Sequence, residues 1–132
     1  MSRRGTADGP TISVRRVYEP AEPDDGLRVL VDRLWPRGLA KADARLDDWP
    51  KELTPSTELR RARHAGGLAE DVFRARYRDE LESAPAHAAR AALLTRVGDG
   101  RLTLLTAVRD PEHSHVPVLI AYLDEHRRED DR

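Results

Sequence analysis

Val29-Leu30-Val31-Asp32-Arg33-Leu34-Trp35-Pro36-Arg37-Gly38 decides the reading of this chain. An apolar run with no polar alternation stops at an Asp and an Arg side by side, and a turn residue follows. A strand apolar on both faces belongs inside a layered fold, most often in a parallel sheet. A second segment ends the same way: Leu104-Leu105-Thr106-Ala107-Val108-Arg109-Asp110-Pro111-Glu112-His113-Ser114-His115. Open α/β sheets hold their ligands just beyond the carboxyl ends of the strands. If the two strands are parallel neighbours, Arg33, Arg37 and Arg109 meet Asp32, Asp110, His113 and His115 in one crevice.

Working outward, Ile12 to Tyr18 reads as a first strand with one polar face, because Ile12, Val14, Val17 and Tyr18 are interleaved with arginines. Pro20, Pro23 and Asp25-Gly26 mark the next stretch as a loop. Leu27 to Leu34 is the first buried strand and Arg101 to Val108 the second. From Leu39 to Pro55 the spacing of Leu46, Trp49 and Leu53 is helical, but Pro50 and Pro55 break it. A short helix or extended segment with Trp49 turned inward is expected. Ser56 has the position of an N-cap, and Gly66-Gly67 closes the helix that it opens. Leu68 to Ser83 carries an apolar stripe of Ala69, Val72, Phe73, Tyr77 and Leu81 opposite a charged face. Pro85 opens a further helix with Ala89, Ala92, Leu93 and Val97 inward. Ser114 caps a last one, whose stripe is Val116, Leu119, Ile120 and Leu123.

The long helical crossover between the two buried strands satisfies the requirement of a parallel pairing. The pattern therefore predicts an α/β fold, a small single-domain layered sandwich with a mostly parallel central sheet flanked by helices. Its expected boundaries are a disordered leader over 1–10, the domain over 11–128 and a flexible charged tail over 129–132.

Composition narrows the function. The chain has 132 residues, 23 basic against 24 acidic, and a formal charge of -1. That balance argues against a generic polyanion binder, which carries a basic excess. Its mean hydropathy of -0.69 fits a heavily charged surface. Cysteine is absent, which removes thiol nucleophiles, thiolate metal sites and disulfides. No apolar run approaches the roughly 20 residues of a membrane span. A cytoplasmic protein is the expectation.

Arg33 and Arg37 flank the stiff Trp35-Pro36 pair and present two guanidinium forks suited to a phosphate or carboxylate. Pairing with Asp32, Asp110 or helix-end carbonyls would occupy the same arginines structurally. Trp35 suits stacking on a base or closing the core as a lid. Asp110 suits a general base or a turn former before Pro111. His113 and His115, with Glu112, have a weak metal-cluster spacing, but helical geometry splays i,i+2 residues apart, and no metal is expected. Histidine acid–base chemistry fits better. Ser56 lacks a nucleophile-elbow context, so capping or anion contact is its expected role. The candidate catalytic residues are thus Asp32, Asp110 and His113. The candidate ligand-binding residues are Arg33, Trp35, Arg37, Ser56, Arg60, Arg109 and His115.

Arg16-Val17-Tyr18, Val29 through Gly38, Trp49-Pro50-Lys51-Glu52-Leu53, Pro55 through Arg60, Phe73 with Arg76-Tyr77-Arg78, and Leu104-Leu105 with Arg109-Asp110 and His113 resemble the YeaO-like bacterial family of unknown function. Asp-Arg-Leu-Trp-Pro-Arg-Gly is the most specific string. The resemblance implies a compact α/β domain and no established activity. Thr106 stands where an aromatic is common in that family, Ser114 where Asn is, and Ala62 to Gly67 lacks the usual aromatics.

Two functions follow from these residues. One is an anion-binding crevice for a phosphorylated or nucleotide-like small ligand, with no cofactor. The alternative is a nucleic-acid-binding or regulatory interaction module, which would add Arg61 and Arg63 to the same arginines. Catalytic and non-catalytic uses of the crevice are both compatible with this set, and no membrane partner is expected.

Overall fold

The computed structural model describes residues 10–130, with side chains described to residue 125. Most of the expected leader and the last two residues of the expected tail lie outside that range. In chain order the elements are β1 (Thr11–Arg16), β2 (Leu27–Leu30), α1 (Lys41–Ala44), α2 (Thr57–His64), α3 (Glu70–Glu80), α4 (Ala84–Val97), β3 (Arg101–Thr106) and α5 (Val116–Asp130). Short 3₁₀ turns stand at Lys51–Leu53 and Pro111–His113. The sheet has the order β1-β3-β2, and both pairings are parallel. The two segments that end in Asp and Arg are therefore neighbours, as their apolar runs predict.

Alternation along the strands gives the sheet two unlike faces. Val29, Leu102 and Leu104 face Phe73, Tyr77, Leu119, Tyr122 and Leu123 in the main core. The other face carries Arg15, Arg28 and Thr103. All three converge on Asp25 in the loop before β2: Arg15 Nη1 lies 3.2 Å from its carboxylate, the Arg28 guanidinium donates to the same oxygen, and the Thr103 hydroxyl donates to the Asp25 carbonyl at 2.6 Å. Arg28 also donates to the carbonyls of Ala44 (3.0 Å) and Arg45 (3.1 Å), which pins α1 to this face. Gly26 lets the loop pass this close: its φ is +68°, and a Cβ there would stand 2.2 Å from the Arg101 carbonyl oxygen.

Several expected boundaries shift. β2 stops at Leu30 rather than Leu34; one further ladder bond, Val31 N–H to the Leu105 carbonyl (3.0 Å), is made before the chain turns. β3 ends at Thr106 and β1 at Arg16. Val72 is 38% exposed and leaves the α3 stripe to Phe73, Tyr77 and Leu81. On α4, Ala92 is exposed while Ala86 and Leu94 turn inward. Trp49 is half-buried, and Tyr122 joins the α5 stripe. On α3, α4 and α5 the helix packs on more than one neighbour, and a single stripe does not describe the buried arc. Among the described residues no helix is long and apolar enough to cross a membrane.

Candidate functional site

A crevice of about 760 Å³ opens beyond the carboxyl ends of β2 and β3. The turn after β2 supplies Asp32 through Arg37, α2 supplies Arg60, Arg63 and His64, and the segment between β3 and α5 supplies Asp110, His113 and His115. Asp32, Arg33, Trp35, Arg37, Arg60, Asp110, His113 and His115 of the sequence candidates share this space. Arg109 is exposed and does not line it, and neither does Ser56.

Asp32 forms the floor. Its Oδ1 accepts from the Thr106 hydroxyl at 2.7 Å and its Oδ2 from the Ala107 N–H at 2.8 Å. His115 Nε2 stands 3.4 Å from Oδ1 and donates to the Val31 carbonyl at 2.8 Å. Burial pushes the Asp32 carboxyl upward, but the donors from His115, Ala107 and Thr106 outweigh it and hold the group below its ordinary value. A carboxylate so occupied is a poor general base: it fastens the end of β2 to β3. This clip also explains why β2 ends early, since side-chain bonds take over from the ladder.

Above that floor the cations differ in their freedom. Arg33 gives its Nε to the Pro55 carbonyl (3.2 Å), which orients the guanidinium and leaves its terminal nitrogens without a partner among the described residues. Arg37 and Arg60 make no ion pair among the described residues, and the Arg60 Nε is sealed from solvent with no acceptor. Arg63 is different: it lies over the Phe73 ring (4.1 Å) and binds Glu70 (2.8 Å) and the His113 carbonyl (2.7 Å). Asp110 and His113 pair with each other at 2.7 Å at the exposed rim.

The apolar wall is Leu34-Trp35-Pro36. The Trp35 indole N–H donates to the Leu39 carbonyl (2.7 Å) and its ring meets Trp49 edge-on at 5.5 Å. Trp49 in turn donates to the Asp32 carbonyl at 2.7 Å. The Tyr18 hydroxyl donates to the Arg37 carbonyl (2.9 Å), closing one lip.

Ser56 caps α2, accepting from the Leu59 N–H (3.1 Å) while its own N–H and hydroxyl donate to Glu80. Ser56→Ala is expected to lower stability by about 1–2 kcal/mol, read as an earlier urea midpoint with an unchanged slope. Ser114 sits just ahead of α5, where its Oγ accepts from the Val116 N–H at 3.1 Å. His64 and Phe73, absent from the sequence candidates, also line the crevice. For His64 the shared face was readable in the spacing: Arg60, Arg63 and His64 stand at i, i+3 and i+4 on α2, whereas Arg61 falls outside it.

A three-stranded parallel sheet flanked by helices makes this a small α/β domain, and the crevice lies at the carboxyl edge of its sheet. The chain belongs to the family described as the inactive DUF488-N3 subclade, whose model matches residues 11–132. It is similar to the uncharacterised protein YeaO of Escherichia coli K12, 45% identical over 112 residues covering 85% of this chain and 96% of that protein. It is also 43% identical over 113 residues to the uncharacterised protein Rv3073c of Mycobacterium tuberculosis H37Rv, covering 86% of this chain and 93% of that one. No solved structure matches the chain.

Proposed function

We propose that the crevice binds a small phosphorylated ligand and holds it without catalysing a reaction on it. The observation that carries this reading is the set of three arginines, Arg33, Arg37 and Arg60, gathered in one concavity and making no ion pair among the described residues, while the carboxylates that share the lining, Asp32 and Asp110, are engaged by Thr106, Ala107 and His113. Cations brought together at a strand-end crevice repel one another, and an anion relieves that cost. Guanidinium forks match phosphate geometry, and Arg33 is already oriented through its Nε. The non-catalytic half of the reading rests on Asp32, whose two oxygens are committed to the fold. The family's description as an inactive subclade agrees with it.

The nucleic-acid alternative receives less support. Arg63, which it would enlist, is engaged by Glu70 and Phe73, and the basic and acidic totals nearly cancel. Calorimetric titration with inorganic phosphate and ribose 5-phosphate tests the proposal. Arg37→Ala and Arg60→Ala should each weaken binding by about tenfold or more, the worth of a charge-assisted hydrogen bond. Binding of an oligonucleotide with steep salt dependence, and of neither small phosphate, would replace this reading with the alternative.

A further inference from the structure

We infer that the ligand is a phosphate monoester of an apolar alcohol, whose body lies on the wall formed by Leu34, Trp35, Pro36 and Tyr18. This rests on the phosphate-binding reading above and adds the chemistry of the rest of the ligand to it.

Among the described residues three large apolar side chains are exposed: Tyr18 (46%), Leu34 (54%) and Val72 (38%). Tyr18 and Leu34 both line the crevice, and Val72 does not. A lone exposed leucine needs no explanation. Two such groups on one concavity, brought from the segments after β1 and β2, make an apolar patch beside the arginines. The aromatic members are held before any ligand arrives. Trp35 is fixed by its Leu39 hydrogen bond and by Trp49. Tyr18 carries the Arg16 guanidinium 5.3 Å from its ring centroid, and its hydroxyl is tied to the Arg37 carbonyl. Little side-chain freedom is therefore lost when a body settles on them.

Hydrogen bonding sets the polarity of that body. The Trp35 indole N–H is given to Leu39 and the Tyr18 hydroxyl hydrogen to Arg37. Pro36 has no N–H, and the Leu34 side chain has no polar atom. Sugar hydroxyls set against this wall would leave water and meet no free donor, which is costly. An apolar body avoids that cost and takes Leu34 and Tyr18 out of water.

Charge is weighted toward α2. Arg33 is anchored on the Pro55 carbonyl just ahead of that helix, and Arg60 and His64 come from the helix itself. The lining also holds two carboxylates, Asp32 and Asp110, the latter paired with His113 at 2.7 Å. A second anionic group on the ligand would be repelled by them. One phosphate with an uncharged, apolar remainder suits all of these groups, and the volume of about 760 Å³ leaves room for that remainder.

The test is calorimetric titration of the wild-type protein with inorganic phosphate, ribose 5-phosphate, phenyl phosphate and phenol. Phenyl phosphate should bind about tenfold more tightly than ribose 5-phosphate, from burial of its ring against the wall, and phenol far more weakly than phenyl phosphate. Leu34→Ser changes a side chain that the fold leaves exposed, and it should cut the preference for phenyl phosphate over ribose 5-phosphate to about threefold. Equal binding of the two phosphate esters would overturn the apolar body while leaving phosphate binding intact. An undiminished preference in Leu34→Ser would overturn its placement on this wall. Phenol binding as tightly as phenyl phosphate, or no binding by any of the phosphates, would remove the phosphate-binding reading as well.

Discussion

Asp32→Ala should destabilise the protein by about 3–5 kcal/mol, the range for removing one member of a buried charged network. Asp32 joins the end of β2 to the end of β3 through the Thr106 hydroxyl and the Ala107 N–H, and it faces His115. With the carboxylate gone, the Ala107 N–H loses its acceptor in a partly buried position. Asp32→Asn keeps the shape, but its amide offers one acceptor where two donors converge, so a substantial part of the loss should remain. Thermal unfolding reads the effect as a melting point lower by about 10 °C or more. The pH dependence has a definite sign. The Asp32 carboxyl is held below its ordinary value, so its contribution is full above the unfolded-state value of about 4 and is lost as pH falls through the lower, folded one. The stability gap between wild type and Asp32→Ala should be widest above about pH 5 and shrink below about pH 4. A gap that stays constant from pH 7 to pH 3 would mean that the charge of Asp32 contributes nothing.

Asp25→Ala is expected to cost a comparable amount, about 3–5 kcal/mol, through a different mechanism. Arg28 is 5% exposed, and its guanidinium loses the one carboxylate it meets among the described residues, keeping two backbone carbonyls. The same substitution takes one partner from Arg15 on β1, which keeps Glu19, Glu22 and the Pro20 carbonyl, and removes the acceptor of the Glu22 N–H (3.0 Å). Asp25 is buried, which raises its carboxyl, yet the Glu22 N–H, Arg28 and Arg15 together bring it below its ordinary value. Urea denaturation should show an earlier midpoint. Removing both charges with Asp25→Asn and Arg28→Met should recover part of the loss, because the penalty lies in the unpaired cation. Equal destabilisation of the single and double variants would contradict that account.

The parallel pairing was legible because Val29-Leu30-Val31 and Leu102 through Leu105 leave no solvent face, and a helical crossover separates them. The α2 cap at Ser56 was legible from local chemistry alone. The length of β2 was not, since its end is set by Asp32 reaching Thr106 and Ala107, far away in the chain. Arg109 shows the limit in the site itself. It follows β3 as Arg33 follows β2, but β3 ends at Thr106, and the residues after it no longer keep the alternation that would fix their direction. Arg60 and Arg63 reach the crevice because α2 is folded back over the strand ends, a tertiary fact that helix periodicity does not contain. The buried polar cluster around Asp25 was hidden for the same reason: Arg15, Arg28 and Asp25 lie close in sequence, but what covers them depends on where α1 packs.

The strand order β1-β3-β2 also has a consequence in time. β1 and β2 leave the ribosome early and do not pair with each other; both await Arg101–Thr106. Until most of the chain has been made, the first two strands have no template, and their closure spans a long loop whose entropy must be met before any ladder bond forms. Helices α2 to α4 rely on local contacts and can gain structure while the sheet is still missing. Folding should therefore be late and cooperative around the β3 segment, with Val29-Leu30-Val31 the stretch most in need of protection during synthesis.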